Sequence, residues 1–512
     1  MPEPPDAAPH EPGAPEARSR DPFAVALGNA SLLGVGYVLL GRRGLAAVAV
    51  TVSLGLLAVL AFVEGAGWFQ GVVFAWWAAV AVHGFYLATS SRTRPSGVRA
   101  QRLVAAAAAV PVLATFVVLR VDAAQKESAA DEAHRAGECA QVLSIVDGLG
   151  PAQRLADAPL VDRANDGAEA CELVVRARRQ AKDDRLLAAR TIARYQDHRA
   201  ARWAGAADYR ADLLLDQAAE NLRAALTGDV DALGAGFDLL RKIRGEFRDR
   251  TSDADGVLAD FLGGLPVEDP CVTLKVTDWI GRQQARGSTD LRRAEGIVDE
   301  VAPAALVGCA DRLLAANNPS EALKGYQRLV TDYPEHTLAA RAEKGITAAT
   351  YAIQLRDVRT LLTPPYGGEL PPYCTTPKPY GGAKPYRGRG PHRTMLFGQD
   401  HHRDNLPAPW RATDDAAAVL VICAGAEQLG DVVETCTYEP VDMPGGYRSV
   451  TFHKYKVPVR VYEVRTGRLV ANTTVQIGGT SCPYFLYGLP ADEYVSPTTA
   501  DIRAAYQGLI TP

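Results

Sequence analysis

The feature that most constrains this chain is a series of apolar segments that fills the region between residues 22 and 121. Each segment approaches the roughly 20 residues that a helix needs to cross a hydrocarbon core of about 30 Å. An unpaired backbone amide in lipid costs several kcal/mol, so a segment at that depth has to be helical or part of a closed barrel. The sequence therefore predicts four transmembrane helices, over residues 23–41, 44–63, 68–88 and 103–119.

Arginine placement predicts the orientation of these helices. The loops that precede the second and fourth segments are basic, whereas the turn 64–67 between the second and third has no basic residue. The positive-inside rule places the basic loops in the cytoplasm. We therefore expect a multi-pass plasma-membrane protein whose region after residue 121 is extracytoplasmic, whether or not the first segment spans. His83, in the third segment, is either a hydrogen-bonded neutral side chain or a proton-linked site.

The 20 residues before the first segment are rich in Pro, Ala and charge and have almost no large apolar side chain. Such a segment cannot bury enough surface to offset the entropy of ordering. Residues 1–21 are therefore predicted to form a disordered tail. Abundant Ala and the excess of Arg over Lys resemble the composition of actinobacterial proteins from high-GC genomes.

All eight cysteines follow the last apolar segment. An even number confined to one side of the membrane is typical of disulfides formed outside the cytoplasm. Zinc is disfavoured because no C-x-x-C pair occurs and the spacings are long. Reduced thiols in a cytoplasmic domain remain the alternative. Proximity within the predicted domains favours the structural pairs Cys139–Cys171, Cys271–Cys309, Cys423–Cys436 and Cys374–Cys482.

Residues 122–362 form a series of amphipathic helical patterns, rich in Ala, Leu and Arg and broken by Gly and Pro. Residues 306–334 within it resemble a tetratricopeptide repeat. The packing positions of that family fall on Ala310, Ala322, Tyr326, Leu329 and Pro334. The resemblance implies stacked helical hairpins whose concave surface binds peptides or proteins, followed by a further helix over about 338–355.

A second copy of this pattern occurs 138 residues earlier. Cys171 precedes His198 by the same interval that separates Cys309 from His336. Each copy also has an upstream cysteine that can tie the preceding helix. We therefore interpret 122–362 as two related, disulfide-tied helical units, with a generic helical array as the alternative.

The composition changes over residues 363–393, where Pro-Tyr and Gly-Gly steps exclude regular helix. We interpret this segment as an interdomain linker tied by Cys374 and packed against its neighbours; exposed tyrosines that contact glycan are the alternative. Residues 394–512 are predicted to form a small α+β domain. Its strands are expected over 416–424, 432–438, 447–464 and 468–477, with a closing helix over about 497–506.

The fold class is therefore multi-domain: N-terminal transmembrane helices, an all-α helical repeat region and a C-terminal α+β domain. A formal net charge of −4 gives no polyelectrolyte character, so nucleic acid is not expected as a partner. No catalytic motif is present, and no cofactor or metal is predicted. The densest group of ligand-type residues lies around His401 and His402, where a polar loop is favoured over a metal or catalytic site.

These observations predict an envelope scaffold or adaptor, anchored through membrane lipid, that binds a protein partner through its helical repeats. The first alternative is a binding module for cell-wall glycan or a small ligand. The second is an enzyme or metal site at the His401–His402 loop.

Overall fold

The computed structural model describes residues 20–62, 68–90, 97–283, 289–365, 369–442 and 444–512. The predicted tail lies almost wholly outside these ranges, as do the 64–67 turn and part of the second basic loop. The chain forms two compact units, one ending at Phe261 and the other beginning at Leu262. The helical region predicted over 122–362 is therefore divided between them.

The first unit has helices and no strands where it is described, and the last two residues of its final helix belong to the second unit. Its helices are α1 Pro22–Ala30, α2 Val35–Leu39, α3 Arg43–Phe62, α4 Phe69–Thr89, α5 Val98–Ala136, α6 Cys139–Asp147, α7 Pro151–Ala156, α8 Ala158–Gln180, α9 Arg185–Gln196, α10 Ala206–Leu226, α11 Ala232–Glu246 and α12 Thr251–Gly263.

Three of these helices, α3, α4 and α5, are long and apolar enough to cross a membrane. Large aromatic side chains stand exposed near both ends of this bundle, as interfacial residues do. Phe62 and Trp68 are at one end and Phe23 and Tyr86 at the other. The second, third and fourth predicted segments thus correspond to three apolar helices.

The first predicted segment does not form a spanning helix. It forms a hairpin of the short helices α1 and α2, turned at residues 31–34 with Gly34 in the left-handed region. A Cβ on Gly36 would lie 2.1 Å from the carbonyl oxygen of Val25, so only glycine lets the two helices approach this closely. Asp21, before α1, pairs with Arg102 in the first turns of α5. The first and last residues of the hairpin therefore both lie at the end of the bundle where α3 and α5 begin.

Side chains satisfy the polar groups that the hairpin turn would leave unpaired. Buried Asn29 donates to the carbonyl of Val80 at 3.3 Å and accepts from the amide of Tyr37 at 3.0 Å. The Trp77 indole donates to the carbonyl of Ala30 at 3.0 Å, and the amide of Leu33 donates to Ser31 Oγ. Non-helical backbone is tolerated at membrane depth only when it is satisfied in this way.

Helix α5 connects the apolar bundle to the rest of the first unit. Its 39 residues correspond to about 58 Å, roughly twice the thickness of a hydrocarbon core. Its C-terminal part packs against α6, α7 and α8. At the junction, the Gln70 amide donates to the carbonyl of Ala156 at 3.1 Å, and Arg120 pairs with Asp157 at 3.0 Å. The bundle and the following helices are therefore held together by one continuous helix and a polar seam.

The second unit contains a helical stack and a sheet module. The helices of the stack are α13 Pro270–Arg282, α14 Thr289–Ala315, α15 Pro319–Asp332 and α16 Ala339–Leu362. The terminal module consists of β1 Thr394–Phe397, α17 Asp400–Asn405, β2 Leu420–Ala424, β3 Gln428–Tyr438, β4 Arg448–Glu463, β5 Leu469–Ile477, β6 Asp492–Tyr494 and α18 Thr499–Ile510. Expected strands thus correspond to β2–β5, and the expected closing helix to α18.

Strand β4 organises the sheet. Strands β2 and β3 follow one another along one side of β4, both antiparallel to it. Strand β5 and then β6 follow along its other side, and β1 pairs in parallel with the outer edge of β2. Aliphatic residues of β2, β4 and β5 form a core with α18, which presents Ile502, Tyr506 and Ile510.

All eight cysteines are paired. Cys139–Cys171 joins α6 to α8, and Cys271–Cys309 joins α13 to α14, as expected. The expected pairs Cys423–Cys436 and Cys374–Cys482 were wrong, because the structure pairs Cys374 with Cys423 and Cys436 with Cys482. Cys423 lies opposite Arg460 and Cys436 opposite Val450 on β4. Ten residues of strand span about 33 Å, so these two cysteines cannot meet.

The segment between α16 and β1 is packed where the structure describes it. Tyr373, Cys374 and Ala383 are buried in a core with Val358 and Leu362 of α16 and residues of β2 and β4. The Tyr373 hydroxyl donates to the carbonyl of Lys378. Residues 369–393 therefore bind the stack to the module as part of one core.

Candidate interaction surfaces

The residues that carry the tetratricopeptide resemblance lie in α14 and α15. Ala310, Ala322, Tyr326 and Leu329 are buried in one core, and Pro334 is exposed just beyond the end of α15. The ring of Tyr326 reaches α16, where a Cβ on Gly345 would lie 2.6 Å from it. Small residues thus allow the helices to approach, and the tyrosine fills the space between α15 and α16.

Asp311 ties three of the four helices of this stack together, α14, α15 and α16. Its carboxylate accepts the Tyr326 hydroxyl at 2.5 Å and the guanidinium of Arg341 at 2.5 Å. Burial raises the pKa of the Tyr326 hydroxyl, and the bond to Asp311 raises it further. On the neighbouring face, Arg328 of α15 pairs with Asp278 of α13 at 2.6 Å. The stack is held by apolar packing inside and by ion pairs at its rim.

The two copies of the sequence pattern share a local turn. His198 follows α9 and His336 follows α15, and each Nδ1 accepts the amide two residues on, from Ala200 or Leu338, at 3.2 Å. The amide of each histidine in turn donates to the carbonyl three residues back. Each copy also has a disulfide upstream of this turn, which joins α6 to α8 in the first copy and α13 to α14 in the second.

His401 and His402 lie on the short helix α17, and the structure separates them. His402 is buried, with Nδ1 3.2 Å from the Tyr506 hydroxyl and Nε2 3.5 Å from Glu427 Oε1; His401 is exposed. Burial lowers the pKa of His402 to about 4 and raises the pKa of Glu427. A neutral imidazole in this position fixes α17 against α18.

Two clusters of possible metal ligands occur within the described residues, and neither includes His401 or His402. They are His134 with Cys139 and Cys171, and Glu434 with Cys436 and Cys482. In both clusters the cysteines are disulfide-bonded, so they offer no thiolate to a metal. His134 instead bonds the Tyr195 hydroxyl at 2.9 Å.

His83 and His453 have local partners. His83 Nδ1 lies 2.8 Å from the hydroxyl of Tyr37 in the hairpin. His453 bonds the carbonyl of Gly430 at 3.0 Å and the carboxylate of Asp492 at 2.8 Å, and these two bonds raise its pKa. His453 thus joins β3 and the start of β6 to β4.

Aromatic side chains gather at one end of the sheet module, in a place that the sequence analysis did not single out. We call this set the aromatic end, and it consists of Tyr447, Tyr484, Phe485 and Tyr487. Tyr484 and Tyr487 are 104% and 86% exposed, in contrast to the buried Tyr373 of the linker. The loop that carries three of them is tied to β3 by Cys436–Cys482. The Tyr-Phe-Leu-Tyr run between Pro483 and Gly488 was the available signal.

No family model matches this chain, and the comparisons with curated proteins and with solved structures found no match.

Proposed function

We propose that this protein is a membrane-anchored scaffold or adaptor that displays its helical stack outside the cytoplasm and binds a protein partner there. The observation that carries the proposal is the packing of α13–α16, in which buried small residues and Tyr326 bring antiparallel helices together. Stacks of this kind present extended surfaces suited to protein recognition. The tetratricopeptide-like character of the stack is part of the proposal.

The extracytoplasmic placement has two supports. The arginines at the starts of α3 and α5 stand at the end of the bundle opposite to α7, and basic residues favour the cytoplasmic side. The four disulfides are typical of an oxidising compartment. We expect intact cells treated with a membrane-impermeant maleimide to label these cysteines only after reduction. Labelling that requires cell lysis but no reduction would place the domains in the cytoplasm.

The partner-binding proposal is tested by photo-crosslinking in intact cells. A photoreactive residue is placed at Lys344 or Thr347, which are exposed on α16, and at exposed Glu220 on α10 as a matched helical control. We expect a protein adduct of one fixed mass from both α16 positions, lost on charge reversal of the exposed Arg356 on the same helix, and no such adduct from position 220. Equal adducts from all three positions would contradict a specific docking face.

The aromatic end favours one second candidate, the binding of cell-wall glycan. Exposed aromatic rings stack on the apolar faces of sugars, and the rings of Tyr484 and Tyr487 are free to do so in this structure. Triple substitution of Tyr447, Tyr484 and Tyr487 by Ser should then abolish co-sedimentation of the intact protein with purified cell wall. Unchanged co-sedimentation would exclude the aromatic end as a glycan site.

A further inference from the structure

A cavity of about 540 Å³ lies between the apolar helices α3, α4 and α5. It occupies the part of the bundle nearest to α7, away from the arginines at the starts of α3 and α5. Its walls are formed mainly by aliphatic and aromatic side chains, among them Leu57, Leu60, Phe74, Val112 and Phe116.

Both ends of this groove are closed by other parts of the first unit. Ala30 and Leu32, at the turn of the α1–α2 hairpin, form its floor. Leu155 of α7 forms its roof, beside Gln70, whose amide is bonded to the backbone of α7. The groove is thus bounded at both ends, whereas lining residues such as Phe74 and Leu113 are partly exposed, so that it opens sideways between the helices.

The length of the groove excludes a transmembrane helix as its occupant. Its lining on α5 runs from Pro111 to Leu119, a rise of about 12 Å. A spanning partner helix needs about 30 Å, whereas one leaflet contributes roughly half of that thickness. The span from the hairpin turn to α7 therefore matches a chain from a single leaflet.

The lining also offers water few partners. The Trp77 indole N–H is already donated to Ala30 and the Gln70 amide to Ala156, and Thr115 contributes the remaining hydroxyl to a wall that is otherwise mainly apolar. Apolar cavities of this kind do not hold water, because a water molecule needs two to four polar partners. At most 28% of the residues in the most apolar stretch of each helix are buried within the protein, so a membrane that holds these helices would surround the groove with hydrocarbon.

We propose that this groove binds one acyl chain of a phospholipid from the leaflet nearest to α7. The inference goes beyond the adaptor function and rests only on insertion of α3, α4 and α5 into a membrane. The chain lies between Leu60, Val73 and Val112, with its end at the hairpin turn. Its headgroup lies near the seam where Arg120 pairs with Asp157. Bound lipid would fill the space that separates α5 from α3 and α4 and fix the direction of the α5 stalk.

The test uses the full-length protein, purified in detergent, stripped of lipid and titrated with phosphatidylglycerol under native mass spectrometry. Val112→Trp fills the groove, and Val118→Trp is the matched control, because Val118 is exposed on the same helix and does not line the groove. We expect one lipid to remain bound as detergent rises. We also expect about tenfold weaker retention in Val112→Trp, or 1.4 kcal/mol, and no change in Val118→Trp.

Equal retention by the two Trp variants, or a graded loss of many lipids with no single retained one, would overturn the proposal. A second measurement does not depend on how Val112→Trp folds. In a variant whose only tryptophan is Trp77, the fluorescence of Trp77 is measured while a lipid brominated on its acyl chain is added as a quencher. Quenching should saturate at a low lipid fraction and exceed that of a Trp76-only chain, because Trp76 points to Ser53 instead. Release of the protein from membranes by carbonate would refute insertion, and with it this site, independently of the crosslinking result at α16.

Discussion

The helical stack α13–α16 and the terminal sheet module belong to the same compact unit, yet their cysteines pair differently. Cys271 and Cys309 join helices that are adjacent in the chain. Cys374 and Cys423 join the segment before the sheet to the inner strand β2. Cys436 of β3 pairs with Cys482, and strands β4 and β5 lie between these two cysteines in the chain. In the stack, contacts follow chain order, so sequence proximity is a good guide. In the sheet, each bond still joins consecutive cysteines, but strand order keeps the two that are nearest in the chain, Cys423 and Cys436, apart.

The largest expected difference between the two regions follows from removing one disulfide from each. Replacing Cys374 and Cys423 by Ala removes a disulfide that closes a loop of 49 residues. The resulting gain in entropy of the unfolded chain lowers the free energy of unfolding by about 4 kcal/mol. Because both cysteines are buried with Val358 and Leu362, we expect hydrogen exchange to rise in α16, β2 and β4 together. The control Cys271→Ala, Cys309→Ala should raise exchange mainly in α13 and α14. An equally wide loss in the control would show that the stack is no more local than the sheet.

Acid should destabilise the sheet module more than the helical stack, because the module contains His402. Its pKa is about 4 in the folded module, below the ordinary 6.5, so the unfolded chain binds the proton more readily between these values. The stability contributed by neutral His402 is complete above pH 6.5 and is lost as pH falls to about 4, by roughly 3 kcal/mol. The raised pKa of Glu427 acts in the opposite direction and reduces the net loss.

The measurement is the urea midpoint of the module between pH 4 and pH 7, compared with His402→Asn. We expect the variant to show a clearly flatter pH dependence. Surface ion pairs such as Arg328–Asp278 contribute at most about 1 kcal/mol each, so the stack should change less over this range. A stack that unfolds before the module on acidification would contradict this account.

Hydroxyl deletion should have unequal effects in the two regions. Tyr506→Phe leaves His402 without its buried partner, which costs about 1–3 kcal/mol. Tyr326→Phe removes a bond to Asp311, which is partly exposed and still pairs with Arg341, so about 1 kcal/mol is expected. Thermal unfolding of both variants, together with hydrogen exchange in α15 and α18, shows which substitution lowers stability more. The reverse order would mean that the Asp311 carboxylate is the more important anchor.

The smallest expected effect concerns the turn shared by the two helical copies. His336→Ala and His198→Ala each remove one acceptor for a backbone amide, at a cost of about 0.5–1.5 kcal/mol. If the two turns are equivalent, exchange at Leu338 and Ala200 should increase by similar factors. A response at only one site would argue against a repeated unit.

Much of the local structure could be predicted from the sequence. Strands β4 and β5 were placed within one residue at each end, because Val457, Val459 and Val461 alternate along β4 and Gly467 marks the turn between the two strands. Strand β1 was missed, since four residues carry too short a pattern, and it forms by pairing with β2. The aromatic end was missed because a run of apolar residues says nothing about exposure until the surrounding strands are placed.

The sequence by itself determined the three apolar helices, the helical character of the stack, the main strands and the two disulfides between helices. These features depend on periodicity and on neighbours close along the chain. Only the tertiary structure decided that Asn29, Trp77 and the glycines turn the first apolar segment into a hairpin, and that Cys374 meets Cys423. The burial of His402 and the groove next to the hairpin turn also depend on the tertiary structure. These contacts join residues far apart in the chain, and local propensity carries no information about such distances.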